Sequence, residues 1–333
     1  MSSDVTHGNS GPRILAVRLG AMGDILHALP AVASLKSSFP GSRVTWLVEP
    51  KWAALLEGNP FVDCVLLFHR GSVQEWIRNW RMLRAERFDL AVDFQGLIKS
   101  AIAASVSHAD RLFGFHSAEL RERPAALFYS NRIASRLPHV VEKNLELAAA
   151  AGASSLLRTF AVPPGRAEGA LPESGFVLAS PLAGWPSKQW PLEYYGRVGQ
   201  RLDRELGVPL VLNVPPGMEH SGSAIPGTRL HVSSVAGLID ATRRASAVIG
   251  VDSGPLHLAA ALGKPGVAVF GPTDPARNGP YGGSIAVLRS PRAVTSYKRA
   301  REIDASMREI DPDRVFEALK AHLMRRAAGC AVE

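Results

Sequence analysis

Apolar and polar positions in this chain are patterned on two scales. Short, nearly continuous apolar runs recur, each followed by a longer stretch whose apolar residues return every three to four positions. The first pattern fits strands buried on both faces, and the second fits helices that cover them. In the first half the predicted strands are Ile14–Arg18, Val44–Val48, Cys64–Phe68 and Leu90–Phe94. The second half restarts with Phe176–Ser180, Leu210–Val214, Ala247–Val251 and Val267–Phe270. Helical patterns separate them, including an Ala/Leu-rich stretch after Asp24, one after Gln95-Gly96 and a terminal one near Pro312–Ala327. Such alternation predicts an α/β protein with parallel sheets covered by helices.

The pattern is interrupted at Phe160-Ala161-Val162-Pro163-Pro164-Gly165, after which small and polar residues continue to about Ser174. That interruption predicts a linker between two Rossmann-like domains, residues 1–165 and 166–333. The terminal helix is free to pack back on the first of them. A length of 333 residues also exceeds what one core usually holds. Ligands of such folds sit beyond the carboxyl ends of the strands. Two such domains with parallel sheets facing an interdomain cleft make the GT-B architecture.

The most informative stretch is Val248–Pro265, a buried strand that breaks into a helix through Asp252-Ser253-Gly254-Pro255. Ser253 suits the N-cap, and Pro255 falls in the first turn, where its missing N–H costs nothing. Free backbone N–H groups and the positive end of the helix dipole make this a seat for phosphate. His257, one turn on, shares that face. The plainer reading is an ordinary strand-to-helix turn with Asp252 and His257 occupied in capping bonds.

A counterpart lies near the start, in Val17-Arg18-Leu19-Gly20-Ala21-Met22-Gly23-Asp24 followed by Ile25–Pro30. Its glycine spacing is neither a dinucleotide fingerprint nor a Walker loop. Asp24 is either an N-cap or a carboxylate able to take a proton from an attacking hydroxyl. A third stretch, Ser180–Glu193, places Lys188 just before a helix opened by Pro191, the unfavourable end of the dipole for a cation. Lys188 therefore either reaches water or has a bound anion beside it. Glu219 follows a strand and suits a ribose or a polar turn. Gln95 and Lys99, in Asp93-Phe94-Gln95-Gly96-Leu97-Ile98-Lys99, either touch substrate or cap and solvate. Asp311-Pro312-Asp313 matches an acidic metal-binding triplet in form but opens the terminal helix, so capping is the simpler account.

Composition narrows the partners. A net charge of +8 points to an anionic partner. No zinc-finger spacing, helix-turn-helix signature or aromatic RNA-binding motif is present, which argues against nucleic acid. Arg78, Arg81 and Arg84 step by three along a predicted helix, but Glu75 and Glu86 accompany them, as on a solvated face. The basic terminal helix faces either anionic lipid or water. No apolar run is long enough to span a bilayer and the first ten residues lack a signal-peptide core, so an intracellular, soluble protein is expected. Cys64 and Cys330 have neither metal nor disulfide spacing, and read as a core filler and an incidental tail residue.

Taken in order, these stretches resemble the ADP-heptose:lipopolysaccharide heptosyltransferases of glycosyltransferase family 9, most closely those of type I. The resemblance runs through Arg18–Pro30, Asp93–Ser100, Arg121–Tyr129, His139-Val140-Val141-Glu142, Lys188-Gln189-Trp190-Pro191, Gly250–His257 and Phe270–Pro275. It implies transfer of L-glycero-D-manno-heptose from ADP-heptose to the Kdo of Kdo2-lipid A, with inversion, at the cytoplasmic face of the inner membrane and in peripheral contact with its anionic surface. It implies Asp24 as general base and Lys188 as the diphosphate-binding lysine, both catalytic. Lys188, Glu219, Asp252, Ser253, Gly254 and His257 would bind the donor. Gly23, Lys51, Gln95, Lys99, Arg121 and Arg123 are candidates for the acceptor. Neither a metal nor a cofactor is expected. The chain departs from the family pattern at Ala183 and Gly184, where hydroxyl residues usually precede the lysine. A family 9 transferase that acts later, such as those of type II, or that uses a different sugar or acceptor, a sugar-nucleotide epimerase of the same shape and a nucleotide-sugar-binding module are the alternatives.

Overall fold

The computed structural model describes residues 11–173, 175–222 and 225–330, with side chains to residue 324. It forms two compact units, Met1–Ala161 and Val162–Glu333. The division falls just before the Pro163-Pro164 pair rather than after Gly165.

The first unit runs β1 (Arg13–Val17), α1 (Met22–Ser38), β2 (Arg43–Val48), β3 (Cys64–Leu67), α2 (Val73–Ala85), β4 (Leu90–Asp93), α3 (Ile98–Val106), β5 (Arg111–Phe115), β6 (Asn131–Ile133) and α4 (Val140–Ala150). Its six strands lie in the order β3-β2-β1-β4-β5-β6, every neighbouring pair parallel. The second unit runs β7 (Val177–Ser180), α5 (Leu192–Leu206), β8 (Leu210–Val214), β9 (Thr228–Val232), α6 (Val235–Arg244), β10 (Ala247–Val251) and α7 (Gly254–Ala261). It continues with β11 (Gly266–Phe270), α8 (Pro275–Asn278), β12 (Ile285–Arg289), α9 (Ala305–Arg308) and α10 (Pro312–Cys330). Its sheet, β12-β11-β10-β7-β8-β9, is again all parallel and repeats the first order when each unit is counted from its own first strand. Both are doubly wound α/β units. The winding direction reverses between β1 and β4, and between β7 and β10, so connections leave these strand pairs in opposite directions and open a crevice at their carboxyl ends.

All eight predicted strands are present, within a residue or two of their expected ends. Four strands were not anticipated: β5, β6, β9 and β12. Three of these are sheet edges, where one side is open and no continuous apolar run is required. In β9 only His231 is buried, and none of the three residues of β6 is. Helix α1 is the opposite case. From Met22 to Leu35 every residue is buried except Asp24, so this helix has no polar face and leaves a single carboxylate uncovered. It packs against α4, and the Ser34 hydroxyl donates to the Pro30 carbonyl at 2.7 Å within it.

Helix α10 packs on α5 and β11 inside the second unit, with Val315, Phe316 and Leu319 buried. Asp311 caps it, its Oδ1 accepting from Asp313 N at 2.7 Å, while Asp313 pairs with Arg201. Capping, the simpler account of that acidic pair, is what the structure shows. Cys64 is half-buried rather than a core residue; the Cys330 side chain lies outside the described residues. Among the described residues no helix is long and apolar enough to cross a membrane.

Candidate active site

Asp24, Gln95 and Lys99 in the first unit, and Lys188, Asp252, Ser253 and His257 in the second, follow the two strands that flank the reversal. Lys51 instead follows β2, Arg121 and Arg123 follow β5, and Glu219 follows β8. In the first unit β1 delivers Arg18–Ala21 into α1, and β4 delivers Phe94–Leu97 into α3. The helix begins at Met22, so Asp24 stands inside its first turn and is not the N-cap. Asp24 Oδ2 accepts from Ala21 N at 3.2 Å and pairs with Arg18 Nη2 at 2.7 Å. Arg18 is itself anchored, since its Nη1 donates to the Phe94 carbonyl at the end of β4. One oxygen of Asp24 is thereby fixed, and Oδ1 accepts no hydrogen bond from a described residue. The side chain is 39% exposed. A carboxylate held by one oxygen, with the other open, is suited to accepting a proton from a bound hydroxyl.

The β4 end is set by a buried carboxylate, Asp93. Its oxygens accept from Gln95 N at 2.8 Å, Ser100 Oγ at 2.8 Å and Tyr129 Oη at 2.7 Å. Burial pushes the Asp93 carboxyl up, against these hydrogen bonds. Burial, and then the neighbouring Asp93 charge, push the Tyr129 hydroxyl up as well. Gly114 on β5 makes this possible, because a Cβ there would stand 2.3 Å from the Tyr129 ring. The network fixes the turn that carries Gln95, whose Oε1 accepts from Leu19 N at 2.7 Å. Gln95 thus ties the β4 turn to the β1 loop. Lys99 lies 3.8 Å from Glu49, which also pairs with Arg70. Lys51 is exposed and lies over the Trp52 ring at 4.6 Å. Arg121 and Arg123 are exposed and have no ion-pair partner among the described residues. Gly23 is buried in α1.

In the second unit β7 leads into the Lys188 loop and β10 into the Asp252–Ser253 elbow. The anion beside Lys188 is Asp252. Lys188 Nζ lies 2.9 Å from Asp252 Oδ2, and His257 Nε2 lies 3.5 Å from Oδ1. Burial would raise the Asp252 carboxyl, but His257 and Lys188 outweigh it and hold it well below the usual carboxylate range. The two oxygens of Asp252 thus face Lys188 and His257. The Lys188 loop is pinned by Trp190, fully buried, edge-on to Tyr195 at 4.9 Å and donating through Nε1 to the Ile310 carbonyl at 3.0 Å. The Lys188 ammonium also lies over the Trp185 ring, at 4.7 Å.

Ser253 occupies the N-cap of α7, but its hydroxyl makes no capping bond, a correction to the sequence reading. Its Oγ is buried without a hydrogen-bond partner among the described residues, and so are Ser187 Oγ and Thr273 Oγ1. Ser253 and Thr273 closely follow β10 and β11, and Ser187 stands in the loop after β7, the strand beside β10. A buried hydroxyl left unpaired costs about 1–3 kcal/mol, so three at one sheet end suit an oxygen-rich ligand. Ser187, Thr273 and Arg18 were not singled out from the sequence, although all lie within stretches that were. Side-chain burial, the property that distinguishes them, is not visible in composition. A Cβ built at Gly184 would meet nothing within 4 Å. Glu219 is exposed at the end of β8, the strand next to β7. Its Oε1 accepts from Gly217 N at 2.9 Å, and this backbone contact lowers its carboxyl.

The Lys188–Asp252 pair makes a stability prediction. Asp252→Asn leaves the lysine without its counter-charge and costs about 3–5 kcal/mol in urea unfolding at neutral pH. The native carboxyl holds its proton less tightly than an unfolded one at 3.8. Its contribution is therefore present above that value and lost as pH falls below it, and wild type should lose stability more steeply on acidification than the variant. Parallel acid limbs would show that the pair contributes nothing.

Comparison with known proteins gives the family and the fold. The family model of glycosyltransferase family 9 (heptosyltransferase) matches residues 76–305. Lipopolysaccharide heptosyltransferase 1 of Escherichia coli K12 is 29% identical over 304 residues, covering 84% of this chain and 94% of its own. The solved structure of E. coli heptosyltransferase WaaC with ADP superposes with a TM-score of 0.76 at 24% identity, over 93% of this chain and 99% of that one. The same enzyme with ADP-2-deoxy-2-fluoro heptose gives 0.74 at the same identity and coverage. These two likenesses establish a shared GT-B fold.

Proposed function

Because the chain belongs to glycosyltransferase family 9, the heptosyltransferases, we propose that it moves heptose from ADP-heptose to a Kdo sugar of Kdo2-lipid A, with inversion, in building the lipopolysaccharide inner core. The observation that carries this reading is the Lys188–Asp252 pair at the start of α7, a cation held rigidly beside a helix N-terminus. The relative of known structure was solved with ADP and with a fluorinated ADP-heptose, which supports the same class of donor here. ADP takes its diphosphate to the α7 start, where Gly254 and Leu256 bring N–H groups and Pro255 brings none. Lys188, drawn from Asp252 towards the phosphates, neutralises the charge that grows as the sugar–oxygen bond breaks. His257 then retains Asp252. Ser187, Ser253 and Thr273 offer hydroxyl donors to the same oxygens, in place of those missing at Ala183 and Gly184. Glu219 receives the ribose hydroxyls.

Asp24 Oδ1 takes the proton of the acceptor hydroxyl as that oxygen attacks the anomeric carbon opposite ADP. Arg18 keeps the carboxylate aimed, and Gly23 admits the acceptor close to the α1 backbone. Lys51, Lys99, Arg121 and Arg123, with Gln95, meet the acceptor's carboxylates and phosphates. The work is done at the cytoplasmic face of the inner membrane, where that acceptor is exposed.

Incubation with ADP-heptose and a panel of lipid A precursors, read by mass spectrometry, tests the assignment. One heptose should be added to Kdo2-lipid A and none to lipid A lacking Kdo. Addition only to an already heptosylated core would make it a later-acting transferase, and donor turnover without any acceptor would make it an epimerase.

A further inference from the structure

Helix α2 buries little of itself. Only Asn79 and Leu83 of its residues are buried, while Val73 is 75% exposed, Trp80 46%, Ile77 40% and Trp76 39%. These four recur at helical spacing, so they form one stripe along the exposed side. These four themselves line one wall of an open apolar pocket of about 290 Å³, whose other lining residues include Phe68, Leu83, Ile102 and Val106. Arg78 and Arg81 flank the stripe on its outer side, and Arg84 lies in line with it over the Trp80 ring at 5.2 Å. None of the three has an acidic partner among the described residues. The acids of this segment are occupied elsewhere: Glu75 caps Ser72 N at 3.1 Å, and Glu86 pairs with Arg13 at 2.9 Å. Glu86 is thus spent on Arg13, while Glu75 keeps its charge at the helix start, so the three arginines leave the face net positive rather than balanced.

Helix α10, the other basic helix, is built differently. Its apolar face is spent on the core of the second unit, Asp313 and Glu317 bind Arg201, and Lys320 reaches Glu205. Among its described residues, these acids and Lys320 are paired within the second unit.

We infer that α2 is the element that rests on an anionic lipid surface, with Val73, Ile77 and Trp80 entering the headgroup–acyl boundary and Arg78, Arg81 and Arg84 meeting lipid phosphates. Tryptophan and arginine side by side on a helix with a spare apolar stripe match the chemistry of that interface. The charge complementarity selects lipid over a second copy of this chain, whose own α2 would set like charges against like. The inference deepens the reading of a lipid-borne acceptor, but it is tested without transfer. Full-length protein is sedimented with vesicles of phosphatidylcholine alone or with one quarter phosphatidylglycerol. Wild type should bind the anionic vesicles and hardly the neutral ones. Arg78→Gln/Arg81→Gln, which removes two side chains with no partner to lose, should weaken anionic-vesicle binding roughly 10–30-fold, at about tenfold or less per cation. Ile77→Ser/Trp80→Ser should weaken it at least as much, with urea unfolding reporting that the fold is kept. Undiminished binding by the arginine variant, equal binding to both vesicle types, or no binding by wild type would each overturn the inference. Transfer to a deacylated, water-soluble acceptor should be unchanged in the arginine variant, so loss of the proposed activity and loss of lipid docking are read separately.

Discussion

Asp24→Asn should lower turnover by roughly 10²–10⁴-fold while leaving ADP affinity nearly unchanged, the range expected when a general base is removed. The substitution is close to isosteric. The amide oxygen can still accept from Ala21 N, so the start of α1 should be kept, but the charge that pairs with Arg18 at 2.7 Å is lost. Stability should fall little, because Asp24 is 39% exposed and its ion pair is only partly shielded from water. What disappears is the proton acceptor. The measurement is initial rates with ADP-heptose and Kdo2-lipid A, alongside calorimetric titration with ADP. Near-normal turnover would leave Asp24 a helix-end residue, and a parallel loss of ADP affinity would point to a damaged fold instead.

The second large effect is at Lys188. Lys188→Ala should weaken ADP binding and reduce turnover together, with a loss in turnover on the order of 10²–10³, typical for one preorganised charge at a leaving group. The structure adds a complication that the single variant cannot resolve. Removing the ammonium leaves the Asp252 carboxylate facing the incoming phosphates with only His257 beside it. Part of the defect would then be repulsion. Lys188→Ala/Asp252→Asn separates the two contributions, because it removes the lysine and the repelling charge together. If Lys188 binds phosphate, the double variant stays impaired by tenfold or more. Donor affinity restored to wild-type level in the double variant would mean that the lysine serves only to neutralise Asp252.

Much of this arrangement is legible before any coordinates. The apolar runs of β1, β2, β4, β7, β8, β10 and β11 locate every interior strand except β5, because interior parallel strands are covered on both faces and are mostly apolar; Arg111 and Gly114 break the run of β5. The carboxyl ends of the strands so found then locate Asp24, Gln95, Lys188, Asp252 and Ser253 by the rule for doubly wound sheets. Edge strands such as β6 and β9 escape because exposure frees their sequence from that requirement. Pairings between loops escape for a different reason. Lys188 and Asp252 are 64 residues apart, and only the sheet order β10-β7 makes them neighbours. Composition alone left the counter-charge of Lys188 as a bound ligand or water. Ser253 has the residue type of a cap, yet its hydroxyl is turned away from that role. For α2, counting charges balanced Glu75 and Glu86 against the arginines, whereas their hydrogen bonds show both acids already engaged.

The account rests on where the expelled nucleotide is held, and a crystal structure of the protein with ADP measures that directly. The diphosphate should lie within hydrogen-bonding distance of Lys188 Nζ and the first N–H groups of α7, with the Lys188–Asp252 distance longer than its present 2.9 Å. ADP bound away from the Ser253 elbow, with the lysine still clasped to Asp252, would contradict it.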